Sequence, residues 1–228
     1  MPKGGLWSSG KRRRQGSETL SFRQVVDNGD IASLRLAVGR RRVCLASASP
    51  RRRRILRACG ISFSVCPSTV DEPPPHGPDW RAWVRTWSSF KASDVATRIN
   101  RSALIIAADT IVVLGGHGLG KPRDGDDAVA MLKRLSGRSH SVITGITVTD
   151  RATMRGGSAS EASVVTFRTL TDSEIRDYVR NGEPMDKAGA YAIQGQASAF
   201  IADVKGPIDN VVGLPVGALA RLIRRVSA

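Results

Sequence analysis

Residues 104–108 constrain the fold more than any other stretch, because they are five consecutive apolar residues, Leu-Ile-Ile-Ala-Ala. A strand with one face in water alternates apolar and polar residues, whereas a continuous run of this length is typical of a strand buried on both faces. Such a strand needs a layer of helices on each side of its sheet. We therefore predict an α/β domain with residues 104–108 in a central strand.

Strand-like and helix-like segments alternate along the chain from residue 43 onward, without internal repeats. The predicted strands are 43–46, 61–65, 104–108, 111–114, 142–148, 164–169 and 200–204. Helices are predicted at 50–59, 124–135 and 215–226. Two further helices are predicted, one from residue 80 onward and one that begins with a capping box at 171–174. Asp79 is the expected cap of the helix from residue 80 onward, whose tryptophans at 80, 83 and 87 share one face. Base stacking is one interpretation of that face, and helical spacing favours packing.

Residues 1–41 have a different composition, rich in glycine, serine and arginine, with a basic block at 11–14. We interpret them as a basic mobile leader, with a short helix around 34–38 as an option, followed by a domain at 42–228. A nucleic-acid-binding arm, a transit-like segment and an inert tail are the alternatives. The acids Glu18, Asp27 and Asp30 count against the transit segment.

The net charge of +15 is concentrated at the amino-terminal end. Residues 1–57 carry a surplus of twelve positive charges and the remaining residues a surplus of three. A nucleic-acid-binding face across the domain is therefore not expected, and nucleic acid is left as a partner of the leader alone. Three cysteines without metal-ligand spacing indicate reduced thiols, and no signal or membrane-spanning segment is visible. We expect a cytoplasmic protein without a membrane partner.

The segment 47–54, Ser-Ala-Ser-Pro-Arg-Arg-Arg-Arg, follows a predicted strand and opens a predicted helix. Ser49 would cap this helix and Pro50 would be its first residue. The free N–H groups of a helix N-terminus, the Ser47 and Ser49 hydroxyls and the guanidinium groups of Arg51 and Arg52 would together bind an anion such as a polyphosphate. A solvated basic helix start is the alternative.

Two carboxylates and two lysines are candidates for phosphate chemistry. Asp109 follows the central apolar strand, and the carboxyl ends of strands are where α/β folds place ligands. With Glu72, from a loop, it could hold a divalent cation such as Mg²⁺. Lys91 and Lys121 could neutralise phosphate charge. Each of these residues, taken singly, could also be an ordinary surface charge.

The segment 186–195 combines Asp186, Lys187, three glycines or alanines in a row and Gln194. This composition suits a backbone-lined pocket in which Gln194 reads a base edge, although an ordinary loop would have it too. His117 and His140 are interpreted as loop or surface residues. Without zinc-ligand, Walker-A or Gly-x-Ser-x-Gly motifs, metal-assisted hydrolysis is the favoured reaction class.

These segments, in this order and spacing, resemble the Maf family of nucleoside triphosphate pyrophosphatases over residues 43 to about 226. The matching pieces are 45–52 (LASASPRR), 70–72 (VDE), 91–92 (KA), 108–112 (ADTIV), 120–123 (GKPR), 135–137 (LSG), 165–168 (VTFR), 182–191 (GEPMDKAGAY), 193–195 (IQG) and 212–215 (VGLP). Each piece is short, and their specificity comes from finding ten of them in sequence order.

The resemblance implies a Maf/inosine-triphosphatase-like fold, an elongated mixed β-sheet flanked by helices around a central cleft. It implies hydrolysis of a nucleoside triphosphate to the monophosphate and pyrophosphate with Mg²⁺ or Mn²⁺, and a possible homodimer. It assigns proton acceptance and metal binding to Asp109, metal binding to Glu72, phosphate binding to Lys91 and Lys121, and the triphosphate cradle to Ser47, Ser49, Arg51 and Arg52.

The resemblance also implies a substrate class. Arg51, Thr110 and Gln194 match the branch of the family that prefers dTTP and UTP, which extends to modified pyrimidine nucleotides, and a 7-methyl-GTP-type enzyme is the alternative. The chain departs from the family at 206–210, Gly-Pro-Ile-Asp-Asn, where a polar residue and an aromatic usually follow the glycine. A nucleic-acid-binding or division regulator acting through the leader is the competing class of function.

Overall fold

Strand β3 (Leu104–Leu114) lies at the centre of a mixed sheet in the computed structural model, which describes residues 21–228. The other strands in this part of the chain are β1 (Val43–Leu45), β2 (Ser64–Val65), β4 (His117–Leu119), β5 (Ser139–Asp150), β6 (Gly156–Phe167) and β7 (Ile201–Lys205). Their order is β2-β1-β3-β5-β6-β7, and β4 pairs with β3. β1 is parallel to β2 and β3, and all other pairs are antiparallel.

Helices cover both faces of this sheet. They are α1 (Phe22–Val25), α2 (Asn28–Val38), α3 (Pro50–Ala58), α4 (Trp80–Arg98), α5 (Gly125–Leu135), α6 (Asp172–Arg180), α7 (Ile208–Val212) and α8 (Val216–Ser227), with 3₁₀ turns at Glu183–Asp186, Ala188–Ala190 and Gln196–Phe200. The even-numbered apolar residues of β3 enter the large core with α2, α3, α5 and α8, and the odd-numbered ones face α4. The prediction of a mixed α/β domain is confirmed.

Most predicted helix ends are confirmed by their caps. Ser49 caps α3 with Pro50 as its first residue, Asp79 caps α4, and Thr171 and Glu174 form the capping box of α6. The strands are predicted less well. β2 contains only two of the five residues expected, and β6 begins at Gly156 instead of near residue 164, because pairing with β5 draws the small and polar residues 156–163 into the sheet.

The segment interpreted as a leader is folded over its second half. Residues 1–20, with the basic block, lie outside the described residues. Helices α1 and α2 follow, and with the residue that ends α1 they bury five apolar side chains in the large core: Val25, Val26, Leu34, Ala37 and Val38. Asp27, which the sequence analysis counted only as an acid, caps α2 by accepting hydrogen bonds from the Gly29 and Asp30 amides. The folded domain therefore includes residues 22–38.

Helix α4 lies against the sheet at Gly145 of β5, with main chain touching main chain. A Cβ atom added to Gly145 would lie 2.7 Å from Arg85 N and would overlap the Val84 carbonyl group. Only glycine can occupy this position while α4 keeps its distance from the sheet. Among the described residues, no helix is both long enough and apolar enough to cross a membrane.

We expect Gly145→Ala to lower the free energy of unfolding by about 3 kcal/mol, since the added methyl group meets backbone that cannot rotate away. Urea denaturation measures the change. Gly125→Ala is the matched control, because its Cβ would meet Val179 Cγ1 at an ordinary 3.6 Å. Equal stability of the two variants would show that the packing of α4 against the sheet does not require glycine at position 145.

Candidate active site

Asp109 lies in the middle of β3 and not at its carboxyl end, so that part of the prediction is wrong. β5 pairs with β3 from Leu104 to Val113, which keeps the strand regular past Asp109. On the other edge, β1 pairs only as far as Ile106, and β4 pairs only from Val112 onward. Residues 107–111 therefore have no strand partner on this edge within the described chain. Asp109 is at the centre of that gap, beyond the end of β1 and before the start of the pairing with β4.

Lys91 of α4 joins the two predicted carboxylates. Its Nζ donates to Asp109 Oδ1 at 2.8 Å and forms an ion pair with Glu72 Oε1. The Lys91 and Asp109 side chains are 12% and 7% exposed and are largely screened from water, whereas the Glu72 side chain is 38% exposed and lies at the solvent edge of the cluster. The sequence predicted all three residues as parts of one site. Their direct contact depends on α4 lying across the sheet.

The pKa values of the two carboxylates in this cluster are shifted in opposite directions. Burial raises the pKa of Asp109, the nearby Glu72 charge adds to this, and Lys91 opposes it. Burial also acts to raise the pKa of Glu72, but Lys91, together with Lys121 and Arg52, outweighs it and the pKa of Glu72 is lowered. The surrounding cations therefore favour the charged form of Glu72, whereas burial makes Asp109 bind a proton more readily than an exposed aspartate does.

The loop before Glu72 is attached to α4 by residues that the sequence analysis did not identify. Asp94 Oδ2 accepts from Ser68 Oγ at 2.8 Å and from the Thr69 amide at 2.9 Å, and Arg98 donates to the Pro67 carbonyl at 2.8 Å. The Arg98 hydrogen bond and the Thr69 amide hold the pKa of Asp94 at about 2. Lys91, Asp94 and Arg98 follow one another at helical spacing, which was the available signal for a common face.

The start of α3 has the predicted cap and first residue, and its serines also accept hydrogen bonds from other groups of the protein. Ser47 Oγ accepts from the Ser49 amide at 3.2 Å and from Arg52 Nη1 at 3.0 Å. Arg52 Nε donates to the Gly213 carbonyl at 2.8 Å, and Arg52 Nη2 donates to Thr110 Oγ1 at 3.1 Å. The structure thus brings Ser47, Arg52 and Thr110 together beside the helix N-terminus.

Arg51 points toward the segment that was predicted to line the base pocket. Its Nη1 lies 3.4 Å from Asp186 Oδ2, and Lys187 Nζ lies 2.5 Å from Asp186 Oδ1. The Gly189 amide donates to the Gly120 carbonyl at 2.9 Å, which ties this segment to the loop of the exposed Lys121. Gln194 is half-buried in the same segment, between Ile193 and Gly195. Arg51, Asp186 and Lys187 form one charged cluster.

His140 is not the loop or surface residue that was predicted. It lies in β5 with 3% of its surface exposed, and its Nε2 is 2.7 Å from the Tyr191 hydroxyl oxygen. Burial lowers its pKa to about 4, so it is a neutral core residue near pH 7. The polar residues around 139–141 did not indicate that a long strand includes this position and is buried there.

Helix α7, where the chain departs from the family pattern, lies beside Arg52 and carries a buried acid. Asp209 is 3% exposed, and its Oδ2 accepts from the Val216 amide at 2.7 Å. Burial, with the charges of Asp30 and Glu161, raises the pKa of Asp209 to about 7 despite this hydrogen bond. The sequence showed Asp209 only as a departure from the family, without a role.

We expect the contribution of Asp209 to stability to fall as the pH rises from 4 to 7, against an opposing rise from His140, whose pKa burial lowers to about 4. The folded chain keeps a proton on Asp209 throughout this range while the unfolded chain has released it, so the folded state binds more protons. A shift of three pKa units corresponds to on the order of 4 kcal/mol. Urea denaturation across this pH range should show that the free energy of unfolding of the natural chain falls relative to that of Asp209→Asn as the pH rises. Protonation of His140 affects both proteins alike, so parallel curves would contradict the assignment to Asp209.

The site of this α/β protein combines a buried lysine that contacts two carboxylates with a helix N-terminus rich in arginine. Among protein families, the model described as Maf-like protein matches residues 42–226. The chain therefore belongs to the Maf-like protein family, as the sequence motifs predicted.

Three relatives similar to this chain share a name. It is 46% identical over 183 residues to the dTTP/UTP pyrophosphatase of Pelotomaculum thermopropionicum, covering 80% of this chain and 95% of that protein. The dTTP/UTP pyrophosphatase of Anaeromyxobacter dehalogenans is 47% identical over 186 residues, covering 81% and 93%, and that of Myxococcus xanthus is 46% identical over 181 residues, covering 79% and 90%. The predicted dTTP/UTP branch agrees with these names.

Proposed function

We propose that this protein hydrolyses dTTP and UTP to the monophosphate and pyrophosphate. The observation that carries the proposal is the ion cluster of Lys91, Glu72 and Asp109 at the gap in β3, close to the arginine-lined start of α3. The names of the relatives support the substrate class. Such an enzyme would limit pyrimidine nucleotide pools or remove modified pyrimidine nucleotides.

In the proposed reaction, water attacks the α-phosphorus of the nucleotide. Asp109 accepts the proton of that water as the new bond between oxygen and phosphorus forms, and the raised pKa of Asp109 suits this step. The bond between the α-phosphorus and the bridging oxygen breaks, and the electron pair leaves with pyrophosphate. Lys91 and Lys121, Arg51 and Arg52, the Ser47 and Ser49 hydroxyls and the N–H groups of α3 would bind the phosphate oxygens.

The site fits a divalent cation bound jointly by protein and substrate. The carboxylates of Glu72 and Asp109 both contact Lys91 Nζ, so they lie close enough together to share an ion, which would bind beside the ammonium group and not at the point that it occupies. Residues 21–228 contain no group of three or more His, Cys, Asp or Glu that could hold a metal ion. Mg²⁺ and Mn²⁺ are often held by one or two carboxylates together with substrate phosphates. The ion would neutralise charge on the departing pyrophosphate.

Base selection is proposed to involve Gln194, with Arg51 and Thr110 as further contributors. A glutamine amide offers one acceptor and two donors, and it can pair with the O4 and N3 positions of thymine or uracil. Asp186 and Lys187 would contribute to the wall of the same pocket, since both are clustered with Arg51.

The proposal also includes a cytoplasmic location, which the cysteine pattern supports, and a homodimer, which the family resemblance supports. A separate nucleic-acid-binding role would belong to the basic residues at the start of the chain. A truncation that tests this role has to stop before α1, because α1 and α2 bury side chains in the core.

We expect Asp109→Asn to lower kcat for dTTP by about 1,000-fold, because an amide cannot accept the proton of the attacking water. Pyrophosphate release in the presence of Mg²⁺ is the measurement. Asp172→Asn is the control, since this exposed carboxylate pairs with Lys133 away from the gap in β3. Equal turnover by Asp109→Asn and the natural chain would remove Asp109 from its role.

We expect kcat/KM for dTTP and UTP to exceed that for 7-methyl-GTP by about 100-fold, because a pocket that hydrogen-bonds one base edge leaves polar groups unpaired against another. Pyrophosphate release across a panel of nucleoside triphosphates measures the preference. Gln194→Ala should reduce the preference for dTTP and UTP over 7-methyl-GTP, mainly by lowering kcat/KM for dTTP and UTP. Comparable hydrolysis of 7-methyl-GTP by the natural chain would exclude the assignment to pyrimidine nucleotides.

A further inference from the structure

Arg52 is held in place by a row of hydrogen bonds that continues beyond the predicted site. Its Nη2 donates to Thr110 Oγ1 at 3.1 Å, and Thr110 Oγ1 lies 3.0 Å from Thr144 Oγ1. Thr144 Oγ1 in turn lies 2.9 Å from the Asn210 carbonyl oxygen. Thr144 is on β5, the neighbour of β3, and its surface is completely buried. The family resemblance assigned no role to Thr144 or to Asn210.

The direction of every hydrogen bond in this row is determined by its two ends. A carbonyl oxygen can only accept, so the single hydroxyl proton of Thr144 is given to Asn210. The Thr110 hydroxyl must then donate its proton to Thr144, because Thr144 has none left to donate. Thr110 consequently meets Arg52 as an acceptor, which matches a guanidinium group that can only donate.

The far end of the row is anchored in the sheet. Asn210 is completely buried, and its Nδ2 donates to the Val142 carbonyl at 2.9 Å and to Ser163 Oγ at 3.0 Å. The residues that close α7 thus support Arg52 twice, once through the Asn210 carbonyl and Thr144, and once directly through the Gly213 carbonyl at 2.8 Å from Arg52 Nε. Arg52 is therefore supported both by Asn210, in the segment that departs from the family pattern, and by Gly213, in the matching segment 212–215.

We propose that Thr144 is a positioning residue for nucleotide binding, which it supports by holding Thr110 and, through it, Arg52. This inference rests on the proposed function, in which Arg52 binds phosphate. It also changes the role of Thr110. Because its only proton is committed to Thr144, Thr110 cannot donate a hydrogen bond to the base, and its influence on the substrate passes through Arg52.

The test compares Thr144→Val, which removes the hydroxyl at nearly constant shape, with Thr144→Ser, which keeps it. We expect Thr144→Val to raise both the KM for dTTP and the Kd of the non-hydrolysable analogue α,β-imido-dUTP, measured by calorimetry, by about tenfold, with kcat changed less than about threefold. Thr144→Ser should restore both constants to within about threefold of the natural values.

Thr147→Val is the matched control for lost stability. Thr147 is also buried on β5, and its hydroxyl contacts Ser88 Oγ and Ser158 Oγ, each at 2.8 Å, without reaching Arg52. We expect it to lower the melting temperature about as much as Thr144→Val while leaving the Kd unchanged. In an Arg52→Lys background, Thr144→Val should not weaken analogue binding any further, because the guanidinium group that Thr144 positions is absent.

The outcomes separate this inference from the proposed function. If Thr144→Val weakens analogue binding no more than Thr147→Val does, or if its effect persists in the Arg52→Lys background, the positioning role is overturned. If the natural chain binds the analogue and Thr144→Val weakens binding tenfold, but neither dTTP nor UTP is hydrolysed, the positioning role stands and the proposed function fails. If the natural chain does not bind the analogue, Arg52 is not a phosphate ligand and the inference falls.

Discussion

The close approach of α4 to the sheet at Gly145 determines where the charged groups of the site stand. Gly145 is the residue of β5 that pairs with Asp109 of β3, so the helix meets the sheet directly beside that carboxylate. Lys91 follows the contact at Val84 by seven residues, about 10 Å along the helix, and helical side chains lean back toward the N-terminus. The Lys91 ammonium thereby reaches Asp109, and the same helix holds the loop of Glu72 through Asp94 and Arg98.

Strand β3 serves two different parts of the site because consecutive side chains of a strand point to opposite faces. Asp109 faces α4 and meets Lys91, while Thr110 faces α3 and meets Arg52. The proposed proton acceptor and the support of the proposed phosphate-binding arginine are therefore neighbours in the chain. They belong to separate hydrogen-bonded groups, so a substitution on one face can leave the geometry of the other unchanged.

Sequence reasoning succeeded where the decisive signal was local. The caps at Ser49, Asp79 and Thr171 could be predicted because a cap depends on a few adjacent residues. It failed where the structure of a segment depends on contacts with segments that are distant in the chain. Residues 156–163 become a strand only because β5 lies beside them, and α1 and α2 are retained by the core that they cover. Nothing adjacent to His140 in the chain indicated that Tyr191 and the core would enclose it.

The sequence by itself determined the α/β class, the family, and the chemical inventory of the site, since these depend on residue types in a fixed order. Asp109, Glu72, Lys91 and the start of α3 could all be identified in this way. Only the tertiary structure decided that Lys91 lies between the two carboxylates, that Asp109 lies mid-strand in a gap between β1 and β4, and that Arg52 is supported through Thr110 and Thr144. The physical reason is that these contacts join segments far apart in the chain, and their distances are set by packing between the helices and the sheet.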